Sequence, residues 1–298
     1  MHVPIMSYHK RNMDNNWVDF IKQTADDYDW NYGNLCENPN ITWEIVSANP
    51  DLPWSYKHLG LNPNITWEII CANPDKPWDY SWLCENPNIT LDIIEANPEK
   101  PWDCQWLSAN PNITWDIIKA NPDINWVGEY VSLNPNVTWD IVKSNTDNPW
   151  DWNFYFLSQH PNITLDIIKA NPDKHWNYFN LSRNPNITWD IVLANPDIDW
   201  SYPILSENPN ITWDIVIANP DIEWDYRNLS QNPSITWEIV IANPDIEWDY
   251  KNLSKNPNIN LEIVSANRHK GWNTYHLSRN PMTKHPFLQN KQLNYILK

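Results

Sequence analysis

Acidic side chains recur at regular intervals along this chain, and paired carboxylates are the raw material of glycoside hydrolysis and of oxygen-ligated divalent cations. The residue after a tryptophan or its leucine substitute is acidic at Glu44, Glu68, Asp92, Asp116, Asp140, Asp166, Asp190, Asp214, Glu238 and Glu262. A second series runs through Asp51, Asp75, Glu99, Asp123, Asp147, Asp173, Asp197, Asp221 and Asp245, and a third through Asp79, Asp103, Asp151, Asp225 and Asp249. Together they take 24 of the 37 acidic residues. A catalytic pair is needed once, whereas carboxylates in every period suit helix starts. There unpaired N–H groups and the macrodipole favour negative charge by roughly 0.3–1 kcal/mol. The histidines recur in no frame, and no Ser/His/Asp, HExxH, P-loop or zinc spacing is present. The sequence therefore reads as noncatalytic, with no catalytic, cofactor-binding or metal-ligating residue assigned and no cofactor expected.

The elements that carry these acids are set by a repeat. A pattern close to NPNITWDIIxANPDxPWDYxxLSx starts at Asn38 and returns at Asn62, Asn86, Asn110, Asn134, His160, Asn184, Asn208, Asn232, Asn256 and Asn280. The spacing is 24 residues, except for 26 between Asn134 and His160, which places a two-residue insertion near 150–160. Such a period marks a stacked architecture. Of the 26 prolines, 23 hold three fixed repeat positions, so they act as punctuation. Asn-Pro disfavours helix at the Asn and ends whatever helix precedes it.

Each period divides into two similar halves, NPNITWEIVSA from Asn38 and NPDLPWSYKHL from Asn49. Thr42 suits an N-cap in the first half. In the second, an Asx-type turn at Asp51 leads to Pro53 at a first helical position. Two short helices per period follow, with Ile41, Trp43, Ile45, Val46 and Ala48 on one apolar face and Trp54, Tyr56 and Leu59 on the other. The fold class expected is all-α, an α-solenoid of short helix pairs with 24 residues per repeat. A leucine-rich-like β-solenoid is the alternative, because ITWEIV is β-branched and alternates. Residues 1–37 read as a degenerate N-terminal repeat and cap, 38–280 as the tandem repeats, and 281–298 as a basic C-terminal cap. Phe287, Leu288, Leu293 and Ile296 would cover the last layer.

The block from Asn208 to Pro233, NPNITWDIVIANPDIEWDYRNLSQNP, resembles the tandem Asn-Pro/Trp repeats of uncharacterised proteins in mimivirus-like giant DNA viruses. The likeness extends over roughly residues 17–285 and implies a viral repeat protein acting in the infected cell or the virion. It implies no activity.

The chain carries a net charge of −17, 22 tryptophans and 4 glycines among 298 residues. The negative field disfavours nucleic-acid binding, although lysines beside stacked aromatics keep nucleic-acid binding or mimicry as a third reading. No apolar run reaches membrane-spanning length and the start lacks a signal-like apolar stretch, so the expectation is a cytoplasmic protein, of host cytoplasm or virion, not secreted and without a membrane partner. Cys36, Cys71, Cys84 and Cys104 lack CxxC spacing and read as reduced thiols.

Where frame positions build a stack, positions that vary are free for recognition. Four residues after the first-helix Trp or Leu come Lys119, Lys143, Lys169, Leu193, Ile217 and Ile241. Four after the second Trp come Trp82, Trp106 and Tyr130, followed by the cluster Phe154, Tyr155 and Phe156. These residues form the expected partner-binding ridge. The function expected is a noncatalytic scaffold for an unidentified protein partner. The alternative is a structural virion component, self-associating head to tail because residues 1–267 carry −23 and 268–298 carry +6.

Overall fold

The computed structural model describes residues 18–282, apart from 20, 26–27 and 146–151. Every regular element among the described residues is a helix, and none is a strand, so the chain is an all-α repeat solenoid and not a β-solenoid. It divides into two compact units: residues 1–79 with 236–298, and residues 80–235.

In the first half of each repeat a six-residue helix begins at the Trp or Leu, as at Trp43–Ala48, Leu91–Ala96 and Trp213–Ala218. Threonine stands at the N-cap, and Thr90, Thr114, Thr164 and Thr212 accept the N–H three residues on. At Thr42 and Thr66 the cap position is the same, but the side chain makes no such bond. Thr66 instead engages the Glu68 carboxylate, and that hydrogen bond, together with the Glu68 N–H, holds the carboxyl below its ordinary range. The helix stops at Asn-Pro. Asn49 donates from Nδ2 to Ile45 O at 2.9 Å, satisfying a terminal carbonyl, while its own carbonyl accepts the Trp54 indole N–H at 2.8 Å. This clip recurs at Asn73–Trp78, Asn121–Trp126 and Asn195–Trp200. At the insertion Trp152 reaches back seven residues to Asn145 O at 3.1 Å, so the two extra residues lie inside the clip and the frame resumes after it.

The second half departs from expectation. Its helix has four residues in most repeats and starts after the Trp: Tyr56–Leu59, with Ser55 as N-cap. Pro53 and Trp54 precede it as extended chain, because the indole is held by the clip. The third acidic series consequently supplies N-caps, with Asp103, Asp225 and Asp249 accepting N–H groups of the first turn. The described midpoint acids, such as Asp51, Asp123 and Asp197, sit in exposed turns instead. Asp75, Glu99 and Asp173 each pair with the following lysine at 3.0–3.5 Å.

Such short helices have no stability alone. Two sets of contacts bind them. Most second-half tryptophans are buried, and several pack against aromatics of the preceding repeat, as Trp78 lies 5.9 Å from Trp43 and edge-on to Tyr56 at 5.3 Å. Trp176 sits likewise between Trp139 and Phe154. First-helix tryptophans, expected as core, are only half-buried, whereas Leu91 and Leu165 in the same frame are buried. The second set is a ladder of buried asparagines. Asn62 is 0% exposed, and its Nδ2 donates to Cys36, Asn38 and Ile41 carbonyls at 2.7–3.0 Å. Its Oδ1 accepts the Asn64 N–H at 2.8 Å. Asn110, Asn134, Asn184 and Asn232 repeat the pattern one frame later each.

The ladder also joins the first repeat to the last. Asn38 Nδ2 donates to Ser278 O at 2.8 Å and Asn280 O at 3.1 Å, and Asn40 Nδ2 to Pro281 O at 2.9 Å. Asn34 donates to Tyr275 O at 2.9 Å, and Arg279 pairs with Glu37, which also meets His58 Nδ1 at 2.8 Å. These are the bonds that successive repeats make. The last layer is thus covered by the first repeat, and the Met282 N–H keeps the frame bond to Asn280 Oδ1 at 2.8 Å, with φ 49° at Met282. Residues 287–296, expected to cover it, lie outside the described residues. The faces that head-to-tail association would need are occupied within the chain.

Replacing Asn110 with Ala removes one donor each from Cys84 O, Asn86 O and Ile89 O and the acceptor of the Asn112 N–H. Asn86 O keeps the Ile89 N–H and Ile89 O keeps Asn112 Nδ2, and a buried polar group left unmet costs roughly 1–3 kcal/mol. We expect Asn110→Ala to lower the chaotrope midpoint by more than Asn112→Ala, whose side chain is part-exposed; equal losses would contradict the ladder.

Candidate interaction surface

The varying positions separate by exposure. Lys119, Lys143 and Lys169, and then Leu193 and Ile217, stand out from the first helices of residues 80–235, the aliphatic pair 59% and 57% exposed. Ile241 holds the same frame in the other compact unit at 60%. Every other aliphatic frame position of these helices is buried or half-buried. Lys119 Nζ meets Asp116 at 2.9 Å, which shows that the ridge position and the first-turn acid share a helix face. Lys169 donates to Asn195 Oδ1 of the following repeat, so the ridge continues from one repeat to the next.

Trp82, Trp106 and Tyr130 do not join this surface. All three are half-buried, and Trp106 and Tyr130 stack at 4.8 Å with planes 39° apart. In the same frame Asn180 and Asn228 donate to Tyr155 O and Pro203 O one repeat earlier. The position therefore serves layer-to-layer contact, a role that an aromatic ring fills by stacking and an amide by hydrogen bonding. Asn180 leaves its Oδ1 without a partner. Phe154 is spent against Trp176. Sequence reading missed Phe179, which is 49% exposed like Tyr155 in the frame three residues after the second Trp. The signal was present: that frame reads Gln105, Glu129, Tyr155, Phe179, as variable as the ridge.

A cleft of about 730 Å³ lies beside the insertion, lined by Trp139, Lys143, Trp152, Phe154, Tyr155 and Lys174 among others. Among the described lining residues the one carboxylate, Asp173, is paired with Lys174 at 3.0 Å. Among the described residues no group of three or more His, Cys, Asp or Glu could hold a metal ion, and no helix is long and apolar enough to cross a membrane.

Cys36 and His160 are absorbed by the frame. Serines of one frame accept an N–H from the following repeat, as Ser108 does from Val127 at 3.0 Å and Ser158 from Asn177 at 2.8 Å, and Cys36 takes the Ser55 N–H at 3.2 Å in the same way. Burial pushes the Cys36 thiol up to about 12, an inert rather than nucleophilic sulfur. Cys36, Cys71 and Cys84 are free thiols. His160 replaces a ladder asparagine: Nε2 donates to Asn134 O at 3.1 Å and Nδ1 accepts the Asn162 N–H at 3.2 Å. A neutral ring with its proton on Nε2 imitates the amide; the imidazolium has no acceptor to offer. Burial lowers the His160 pKa below 6.5, with the bond to Asn134 opposing.

No protein-family model, curated protein or solved structure matches the chain.

The His160 shift has a defined sign. With its folded pKa below the unfolded 6.5, the unfolded chain takes the proton first, so stability is full above 6.5 and falls as pH drops from there toward the folded value. His160→Asn restores the amide, and its melting temperature should fall less than the native chain's between neutral and mildly acidic pH. Parallel declines would contradict the substitution of ring for amide.

Proposed function

We propose that the chain is a noncatalytic scaffold that binds another protein along the first-helix ridge. The observation that carries this reading is the exposure of Leu193 and Ile217, in a frame where nothing in the repeat requires an aliphatic residue. Cys71, Glu95 and the three lysines hold the same position without harm to the stack. Exposed apolar residues in register on successive layers are the usual raw material of an interface core, and flanking lysines fit a polar rim. As part of the same proposal, the scaffold acts in the infected cell or virion, a reading supported by the resemblance of its repeats to those of giant viruses. The likeness does not name a partner.

Because ridge residues contact solvent, their replacement separates binding from folding. Leu193→Ser and Ile217→Ser should each change the unfolding free energy by no more than about 0.5 kcal/mol, the range of ordinary surface changes. Affinity capture from infected-cell lysate should lose a protein that the native chain retains, and Lys119→Glu with Lys143→Glu and Lys169→Glu should weaken its recovery. An unchanged set of captured proteins in both variants would reject the ridge.

A further inference from the structure

The ridge has a chemistry that narrows its occupant. At Lys119 the ridge cation neutralises the first-turn Asp116. Where Leu193 and Ile217 take that place, Asp190 and Asp214 one turn earlier have no ion-pair partner among the described residues, and both are exposed. Asp197 and Asp221, in the turns that follow the same two helices, are exposed carboxylates as well. An aliphatic side chain set between two carboxylates thus occurs twice at the repeat spacing, in residues 189–221. Residues 189–221 contain no lysine or arginine, and Lys169 at the earlier end donates to Asn195. Such a surface fits a segment that alternates lysine with apolar residues and carries no acid.

The chain itself contains such a segment. Residues 283–298 hold Lys284, Lys291 and Lys298 with Phe287, Leu288, Leu293, Ile296 and Leu297, and neither Asp nor Glu. Its sixteen residues, beginning beyond Met282, are long enough to cross two layers about 10 Å apart. The uneven charge of the sequence invites association between copies, and the end faces that would serve it are already used within the chain by Asn38 and Asn40. We propose that residues 283–298 of one copy dock on the Leu193–Ile217 ridge of a second copy. This rests on the reading of the ridge as a binding surface and names another copy as its partner. Lysine ammonium groups meet Asp190 and Asp214, and the apolar residues cover Leu193 and Ile217. Charge pairing at an exposed site makes the association weaken with salt.

Sedimentation of the full chain over a hundredfold concentration range, at low and at high salt, tests this. The expected result is a mass that rises with concentration at low salt and reverts to one copy at high salt. Lys284→Glu with Lys291→Glu and Lys298→Glu should abolish the rise, as should Leu193→Ser with Ile217→Ser, while an equal mixture of the native chain with either variant still associates. One-copy mass at every concentration, whether because the segment docks on its own chain or nowhere, overturns the proposal. So does association that either variant leaves intact. If self-association fails and the ridge variant still loses a captured protein, the scaffold reading stands and this partner alone is wrong.

Discussion

The buried asparagine amide that opens each repeat is the constraint on which the structure depends. Its two N–H protons are aimed at carbonyls of the preceding repeat, and its oxygen turns the chain that follows, as Asn62 does between Cys36 and Asn64. Helices of four and six residues have few hydrogen bonds of their own, so the repeat lives on contacts between layers. An amide sealed from water has no alternative partner, which makes a missing neighbour expensive. A stack built this way has a difficulty at its ends, where one face would hold unmet donors and the other unmet carbonyls. Here Asn38 and Asn40 of the first repeat supply the donors that residues 278–281 of the last one need. The same economy leaves the outer frame positions unconstrained, and function can be written there without cost to the fold.

Much of this was legible in the residues. Asn-Pro boundaries, the 24-residue period and the helical character of both halves follow from punctuation that acts locally. The meaning of the acids was partly legible: first-turn and third-series carboxylates serve helix starts, as Glu68 and Asp225 do, while those at the midpoint lie in open turns. The start of the second helix was misplaced because Pro53 suits a first helical turn. What overrides it is the indole of Trp54, tied back to Asn49 O, a bond that no spacing rule announces. Trp82, Trp106 and Tyr130 illustrate the same limit, since periodicity gives a frame but not the phase of a one-turn helix.

The joining of first and last repeats was the least legible feature. Nothing in Asn38 or Asn280 distinguishes them from their equivalents, and no local rule announces that they meet. Sequence showed a basic tail and an acidic body and made them complementary ends. In the structure the first and last repeats pair with each other through Asn38 and Asn40, and Leu193 and Ile217 stay exposed on the first helices.

Amide hydrogen exchange, read segment by segment on the native chain, is the most direct test of the ladder as the organising interaction. Residues 34–41 and 274–282 should be protected as well as the equivalent segments in the middle of the repeat array, since their donors and acceptors are equally paired. A gradient of protection that falls steadily toward both terminal repeats would contradict the account.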